Sequence, residues 1–238
     1  MISVCIATYN GEKYIKEQLD SILSQLDYED EVIISDDGSQ DATIEIINAY
    51  RDHRIKLFNH KAELDYTNHE RVTQNFENAL KKSKGDLIFL SDQDDVWESN
   101  KVIKCKEFLK EYDFVVHQMN LISNSGKHLL PNSYYKNVLP KLWLKNVIHE
   151  KIWGCCICFR REVLNFVMPF PTKLIGHDYW ISTISIAKFN CTLLNEKLIK
   201  YRVHDDSVSY HKKNTLLYKI RYRIILLFQL MLRMHFNR

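Results

Sequence analysis

Three short apolar runs in the first half of the chain each stop abruptly at polar, mostly acidic residues: ISVCIA at TYNGE, EVIIS at DDGSQD, and LIFLS at DQDD. Continuous apolar runs of this length read as strands buried on both faces. Between them the period changes. Tyr14, Ile15, Leu19, Ile22 and Leu23 recur at helical spacing, so a helix is expected within Glu12 to Gln25; Ala42–Tyr50 and Asn75 to Lys82 read as further helices. Ile55–Phe58 adds a strand, and Phe114–Val116 another after a helix over Lys101–Lys110. Strands alternating with helices predict an α/β fold, a Rossmann-like doubly wound and mostly parallel sheet. In such sheets ligands bind beyond the carboxyl ends of the strands, where the order reverses. All three polar clusters are therefore expected on one edge. Past Asn120 the alternation is less regular, and Asn124–Leu144 reads as loop-rich.

Composition removes several alternatives. With 238 residues, 45% of them hydrophobic, the chain can bury the core of one domain, or of one domain with an appendage. Six glycines and four prolines exclude linker-like and collagen-like chains. The opening MISVCIATYNGE lacks a basic n-region, and no apolar run approaches the roughly 20 residues of a membrane span, so neither export nor integral insertion is expected. Six cysteines without a secretory signal fit reduced thiols and a cytoplasmic protein. Cys155, Cys156 and Cys158 have no second ligand pair at zinc spacing and read as buried strand cysteines.

Charge is uneven. Between Ser207 and Arg238 lie seven of the 33 Lys/Arg and none of the 30 Asp/Glu, which leaves the main body net acidic. That distribution excludes nucleic acid as a partner. The tail itself, Leu216–Arg238, is basic and apolar. It can lie on an anionic membrane surface or pack as a terminal helix on the domain.

The acids carry the chemistry. Asp92, Asp94 and Asp95 close a strand without an intervening base, a concentration of hard oxygen ligands suited to Mn²⁺ or Mg²⁺ and, through it, a diphosphate. A solvated acidic turn, or a cap for a helix starting near Glu98, would use the same residues. Asp36 and Asp37 precede Gly38 and Ser39; they can serve a turn, or accept hydrogen bonds from a ribose or base. No G-x-G-x-x-G follows the first strand and no P-loop occurs, so phosphate handling falls to the acids and a metal.

TYNGEKYI, SDDGSQDAT, NFENAL, LSDQDDVWESNK, GCCICFRR, GHDYW and KYRVHDDSVS, in this order from Ile2 to Ser209, resemble glycosyltransferase family 2, in particular its bacterial polysaccharide, rhamnosyltransferase-like branch. The resemblance implies a GT-A domain over 1–210, with a nucleotide-binding half to about 118 and an acceptor-binding half over 119–210, then a helix over 211–238. It implies nucleotide contacts from Thr8, Tyr9, Asn10, Glu12, Asp36, Asp37, Asn75, Asp92, Gln93 and Asp94. Asp94, Asp95 and His204 would hold the divalent cation. Gly154, Cys155, His177 and Trp180 would line the sugar and acceptor side, and Asp178 would be the general base.

The function so implied is inverting transfer of a hexose or deoxyhexose from a UDP- or dTDP-sugar to a saccharide or lipid-linked saccharide, in a cytoplasmic enzyme that can sit peripherally on the inner membrane face. His177 stands where many relatives carry a second acid. A helix N-terminal acid is the plain structural alternative for Asp178, and core packing the one for Trp97 and Trp180. A sugar nucleotidyltransferase would open with a Gly-rich basic loop, which TYNGEKY is not. A non-catalytic nucleotide-sugar binding module would have no use for Asp178.

Overall fold

The computed structural model describes residues 1–61, 66–131, 135–148, 152–172, 174, 176–204 and 216–236. Its elements run β1 (Ile2–Thr8), α1 (Ile15–Leu23), β2 (Glu31–Asp36), α2 (Thr43–Ala49), β3 (Ile55–Asn59), α3 (Asn68–Lys82), β4 (Leu87–Ser91), β5 (Val96–Trp97), α4 (Lys101–Phe108) and β6 (Phe114–Ser123). After these come α5 (Trp143–Ile148), a tight turn over Gly154–Cys156, β7 (Ile157–Arg160), α6 (Arg161–Val167), α7 (His177–Lys188), β8 (Cys191–Val203) and α8 (Leu216–Phe236).

The eight strands form one sheet in the order β3-β2-β1-β4-β7-β6-β8-β5. The first four are parallel to one another; β7 runs antiparallel between β4 and β6, and the short β5 pairs antiparallel with β8 at the edge. Successive side chains of a strand point to opposite faces, and the cores divide accordingly. Val4, Ile6, Val32, Ile34 and Phe89 pack with α1, α2 and α4 on one face. Cys5, Ile33, Ile88 and Leu90 pack with α3, α6, α7 and α8 on the other. The chain is therefore layered helix, sheet, helix, as the alternation predicts.

Several boundaries differ from the sequence reading, each for an identifiable reason. Helix α3 starts well before Asn75, because Thr67 and Glu70 form a reciprocal capping box. Val96 and Trp97 follow the acids as a two-residue strand, and α4 begins at Lys101 as read from the sequence, which leaves no helix near Glu98 for the acids to cap. Strand β6 extends to Ser123 because β8, unrecognised in the sequence, runs parallel beside it. The division at 118/119 thus falls inside β6. The boundary at 210/211 lies outside the described residues, as do Ser207 and Ser209. Of the clustered cysteines only Cys158 is in a strand; Cys155 and Cys156 belong to the turn before it.

Candidate active site

Strands β2, β1 and β4 are adjacent and parallel, so the loops after them meet at one edge of the sheet. The first two loops are laced together. Thr8 Oγ1 donates to Asp36 at 2.8 Å, and Asp36 also accepts from the Gly38 and Ser39 amides and the Ser39 hydroxyl. Gly38 takes φ +78°, a conformation an L side chain rarely adopts. The Asp36 carboxylate is thereby committed to its own turn. Asn10 Oδ1 accepts from the Gln40 amide and Glu12 Oε2 from the Ala42 amide, so both brace the loop after β2. Gln93 clamps Tyr9, accepting from its amide and donating to its carbonyl.

Asp37 has a different setting. Arg71 Nε donates to it at 2.8 Å, and His60 Nδ1 lies 3.6 Å away. Burial lowers the His60 pKa, with Asp37 opposing that shift. The Arg71 guanidinium also sits 5.3 Å from the centre of the half-exposed Tyr9 ring. Asn75 Nδ2 holds the Thr8 carbonyl, while its buried Oδ1 has no hydrogen-bond partner among the described residues.

At the end of β4 the carboxylates are crowded. Burial, then the charges of Asp94 and Asp178, push the Asp92 pKa up to about 8. Asp95 is fully buried; its Oδ1 accepts from the Arg202 amide, and its Oδ2 has no partner among the described residues. Burial and the charges of Asp94 and Asp92 raise its pKa well above the usual range. Asp94 is instead engaged by His204 Nε2 at 2.7 Å.

Ligand atoms of Asp92, Asp95 and Cys155 lie within 4.8 Å of one another. A divalent cation would relieve the mutual repulsion and occupy the orphaned oxygen. The carboxylate donors suit Mn²⁺ or Mg²⁺, so the residues present fit such an ion, with Asp94 and His204 alongside.

Across from these acids, Asp178 opens α7. Its Oδ1 accepts from the Tyr179 amide at 2.8 Å, and Gly176 before the helix has φ +83°. The Gly154–Cys156 turn lies directly against this point. A Cβ on Gly154 would stand 2.9 Å from His177 Nε2 and 3.3 Å from Asp178 Cβ. Lys101, fully buried, donates to the Cys155 carbonyl at 2.9 Å and lies 4.1 Å from the centre of the Trp97 ring. Trp97 is a core residue, as packing would have it.

His177 is buried and stacks on Phe76 at 3.9 Å; burial lowers its pKa, which favours the neutral ring. Trp180 reaches no surface: it is fully buried and its indole donates to the Val167 carbonyl. A sugar contact by this ring does not fit that placement. Cys155 is buried too, its thiol among the Asp92 and Asp95 carboxylates.

Residues not singled out in the sequence complete the site. Arg202 donates to the carbonyls of Asp94, Ser123 and Asn124, pairs with Glu17 at 2.6 Å and lies over the Tyr14 ring. It fastens the acid loop to β6 and α1. Its signal was its place two residues before His204. Arg71 carried no signal beyond being a base near an acidic motif, whereas Lys101 closes the LSDQDDVWESNK motif without a role having been read for it.

A sheet with this strand order and a carboxylate edge facing a second acid defines a GT-A glycosyltransferase. A sequence profile of glycosyl transferase family 2 matches residues 3–166, and the chain belongs to that family. It is 30% identical over 223 residues to the UDP-Glc:alpha-D-GlcNAc-diphosphoundecaprenol beta-1,3-glucosyltransferase WfgD of Escherichia coli, covering 89% of this chain and 81% of that one. The fold is that of Staphylococcus aureus TarS 1-349, solved with UDP-GlcNAc, at TM-score 0.71 and 20% identity over 94% of this chain and 66% of that one. It also matches the mannosyltransferase PcManGT of Pyrobaculum calidifontis, solved with GDP-Man and Mn²⁺, at TM-score 0.60 and 20% identity over 87% of this chain and 58% of that one. Among the described residues no helix is long and apolar enough to cross a membrane.

Proposed function

We propose that the chain is an inverting, cation-dependent transferase that moves a hexose or deoxyhexose from a UDP- or dTDP-sugar to a saccharide or lipid-linked saccharide, on the cytoplasmic face, in the synthesis of a surface polysaccharide. The observation that carries this reading is geometric: the Gly154–Cys156 turn brings the Cys155 thiol within 4.8 Å of carboxylate atoms of Asp92 and Asp95 and sets Gly154 directly against Asp178. One carboxylate oxygen is held by the Tyr179 amide, and the other is left to accept a proton.

Asp37 serves the base of the donor, with Arg71 orienting the carboxylate and Tyr9 beside it. Thr8, Asn10, Glu12, Asp36, Asn75 and Gln93 shape the nucleotide cradle through the loop contacts already described. Asp92, Asp94, Asp95 and His204 would hold the cation, which when bound supplies charge neutralisation to the diphosphate oxygens. The acceptor oxygen attacks the anomeric carbon from the face opposite the diphosphate as its proton passes to Asp178. That carbon's bond to the diphosphate oxygen breaks with its electron pair, and the nucleotide diphosphate leaves. Gly154 keeps the approach clear, and neutral His177 packs behind it. The names of WfgD and of the solved TarS and PcManGT complexes support a nucleotide-sugar donor, a lipid-linked acceptor and Mn²⁺ by similarity.

The test is nucleotide release from a panel of UDP-, dTDP- and GDP-sugars with Mn²⁺, Mg²⁺ or EDTA. Slow, EDTA-sensitive release from one UDP- or dTDP-sugar is expected. Binding of no donor in a parallel thermal-shift panel would remove the reading.

A further inference from the structure

Helix α8 is apolar nearly all round, and the structure shows why. Leu226 and Leu230 are fully buried against the face of the domain that carries α5 and α7. Ile220, Ile224, Ile225, Phe228, Met231 and Leu232 are exposed. At 3.6 residues per turn these six fall within one arc of about 140°, centred nearly opposite the two buried leucines. The helix therefore has two apolar faces, one consumed by the fold and one left in solvent.

Further apolar side chains are exposed on the element packed beside the helix. Arg223 donates to the Ile148 carbonyl at 2.8 Å, fixing α8 against the end of α5. There Leu142, Leu144 and Ile148 are 59%, 49% and 54% exposed, and Lys141 and Lys145 stand exposed among them. Phe228 at 59% and Ile224 at 62% show how little of the helical stripe is covered. This many large apolar side chains left in solvent on one helix and its neighbour mark an interaction site.

The geometry points to an anionic lipid surface as the partner, with α8 and the start of α5 lying in the headgroup boundary. Charge selects this partner: Ser207–Arg238 carries seven Lys/Arg and no acid, while the remainder of the chain is net acidic. An exposed apolar helix face in a segment rich in bases and free of acids, with Lys141 and Lys145 exposed on the neighbouring stretch, suits the interface of an anionic membrane. The helix lies on the bilayer rather than through it, since its opposite face is bound to the domain. This surface is consistent with a lipid-linked acceptor but does not depend on one.

The test is flotation of the full chain with phosphatidylcholine vesicles containing or lacking phosphatidylglycerol, with light scattering for its mass in solution. Wild type is expected to float with the anionic vesicles, at least about tenfold better than with the neutral ones and less so at high salt. Ile224→Ser with Phe228→Ser, both at exposed positions, is expected to cut that binding about tenfold with Tm unchanged. Lack of flotation by wild type, or equal flotation by the double variant, would overturn the proposal. So would a stable dimer that the double variant dissociates, which would give the face to a second copy. Donor hydrolysis in solution needs no vesicle and vesicle binding needs no donor, so either idea can fail alone.

Discussion

At the level of single residues, the two neighbouring acids at the end of β2 divide their labour. Asp36 spends its carboxylate on Thr8, Gly38 and Ser39, whereas Asp37 turns to Arg71 and His60. The sequence allowed both a turn and a ligand contact; the structure gives the turn to Asp36 and turns Asp37 away from it. Asp178 carries the sharpest prediction. Asp178→Asn removes the base but keeps an acceptor for the Tyr179 amide, so kcat should fall by about 10²–10⁴-fold. Donor affinity by calorimetry should change little. An unchanged kcat would exclude Asp178 as the base.

A second residue-scale prediction concerns stability. Arg54 holds the Asp52 pKa down to about 2, and the same guanidinium donates to the carbonyls of Leu23 and Leu26. A depressed carboxylate pKa stabilises the fold above the unfolded value, near 3.9, and that stabilisation is lost as pH falls toward the folded value. Asp52→Asn should therefore cost about 1 kcal/mol at neutral pH, given the partial exposure of the pair. In urea unfolding the gap between the two proteins should narrow below about pH 4; a gap independent of pH would contradict the assignment.

At the level of elements, the Gly154–Cys156 turn joins the two halves of the site. Lys101 grips it from α4 and Asp178 faces it from α7. Gly154→Ala should push on His177, whose stack on Phe76 leaves little room to yield. A Tm lower by several degrees and kcat reduced about tenfold or more are expected; wild-type values for both would show that the contact is relieved easily.

The strands after which this site assembles were legible because buried parallel strands are written as unbroken apolar runs. Strand β8 was not. Along CTLLNEKLIKYRV exposure follows no period of two: Asn195, Glu196 and Lys197 are exposed in a row between buried residues, and this polar stretch hides a strand paired to β6 and β5. The same difficulty hid Arg202, whose value comes from a carbonyl cluster that no local pattern announces. Helix α8 read as ambiguous for a physical reason, since it has two apolar faces.

At the level of the molecule, the parallel sheet sets β2, β1 and β4 side by side, and so concentrates negative charge at one edge before any ligand arrives. The chain tolerates Asp92 and Asp95 there only with raised pKa values. A cation bound there should stabilise the whole fold by mass action, by about 2.7 kcal/mol at a hundredfold excess over Kd. Saturating Mn²⁺ is thus expected to raise Tm by about 5 °C or more. The shift should vanish in Asp92→Asn with Asp95→Asn, and an equal shift in that variant would place the ion elsewhere.

The edge with its three polar clusters was readable from sequence because strand direction follows from the alternation. Asp178 as the proposed base was readable only through the family resemblance, since one acid at a helix start has a simpler structural explanation.

The measurement that bears most directly on the central claim is the anomeric configuration of the product, read by NMR after transfer from the active donor to a saccharide acceptor. The proposed direct transfer, with Asp178 taking the acceptor proton, requires a configuration opposite to that of the donor. Inversion, with product formation lost in Asp178→Asn, is the expected result; retention, or full turnover by that variant, would contradict the account.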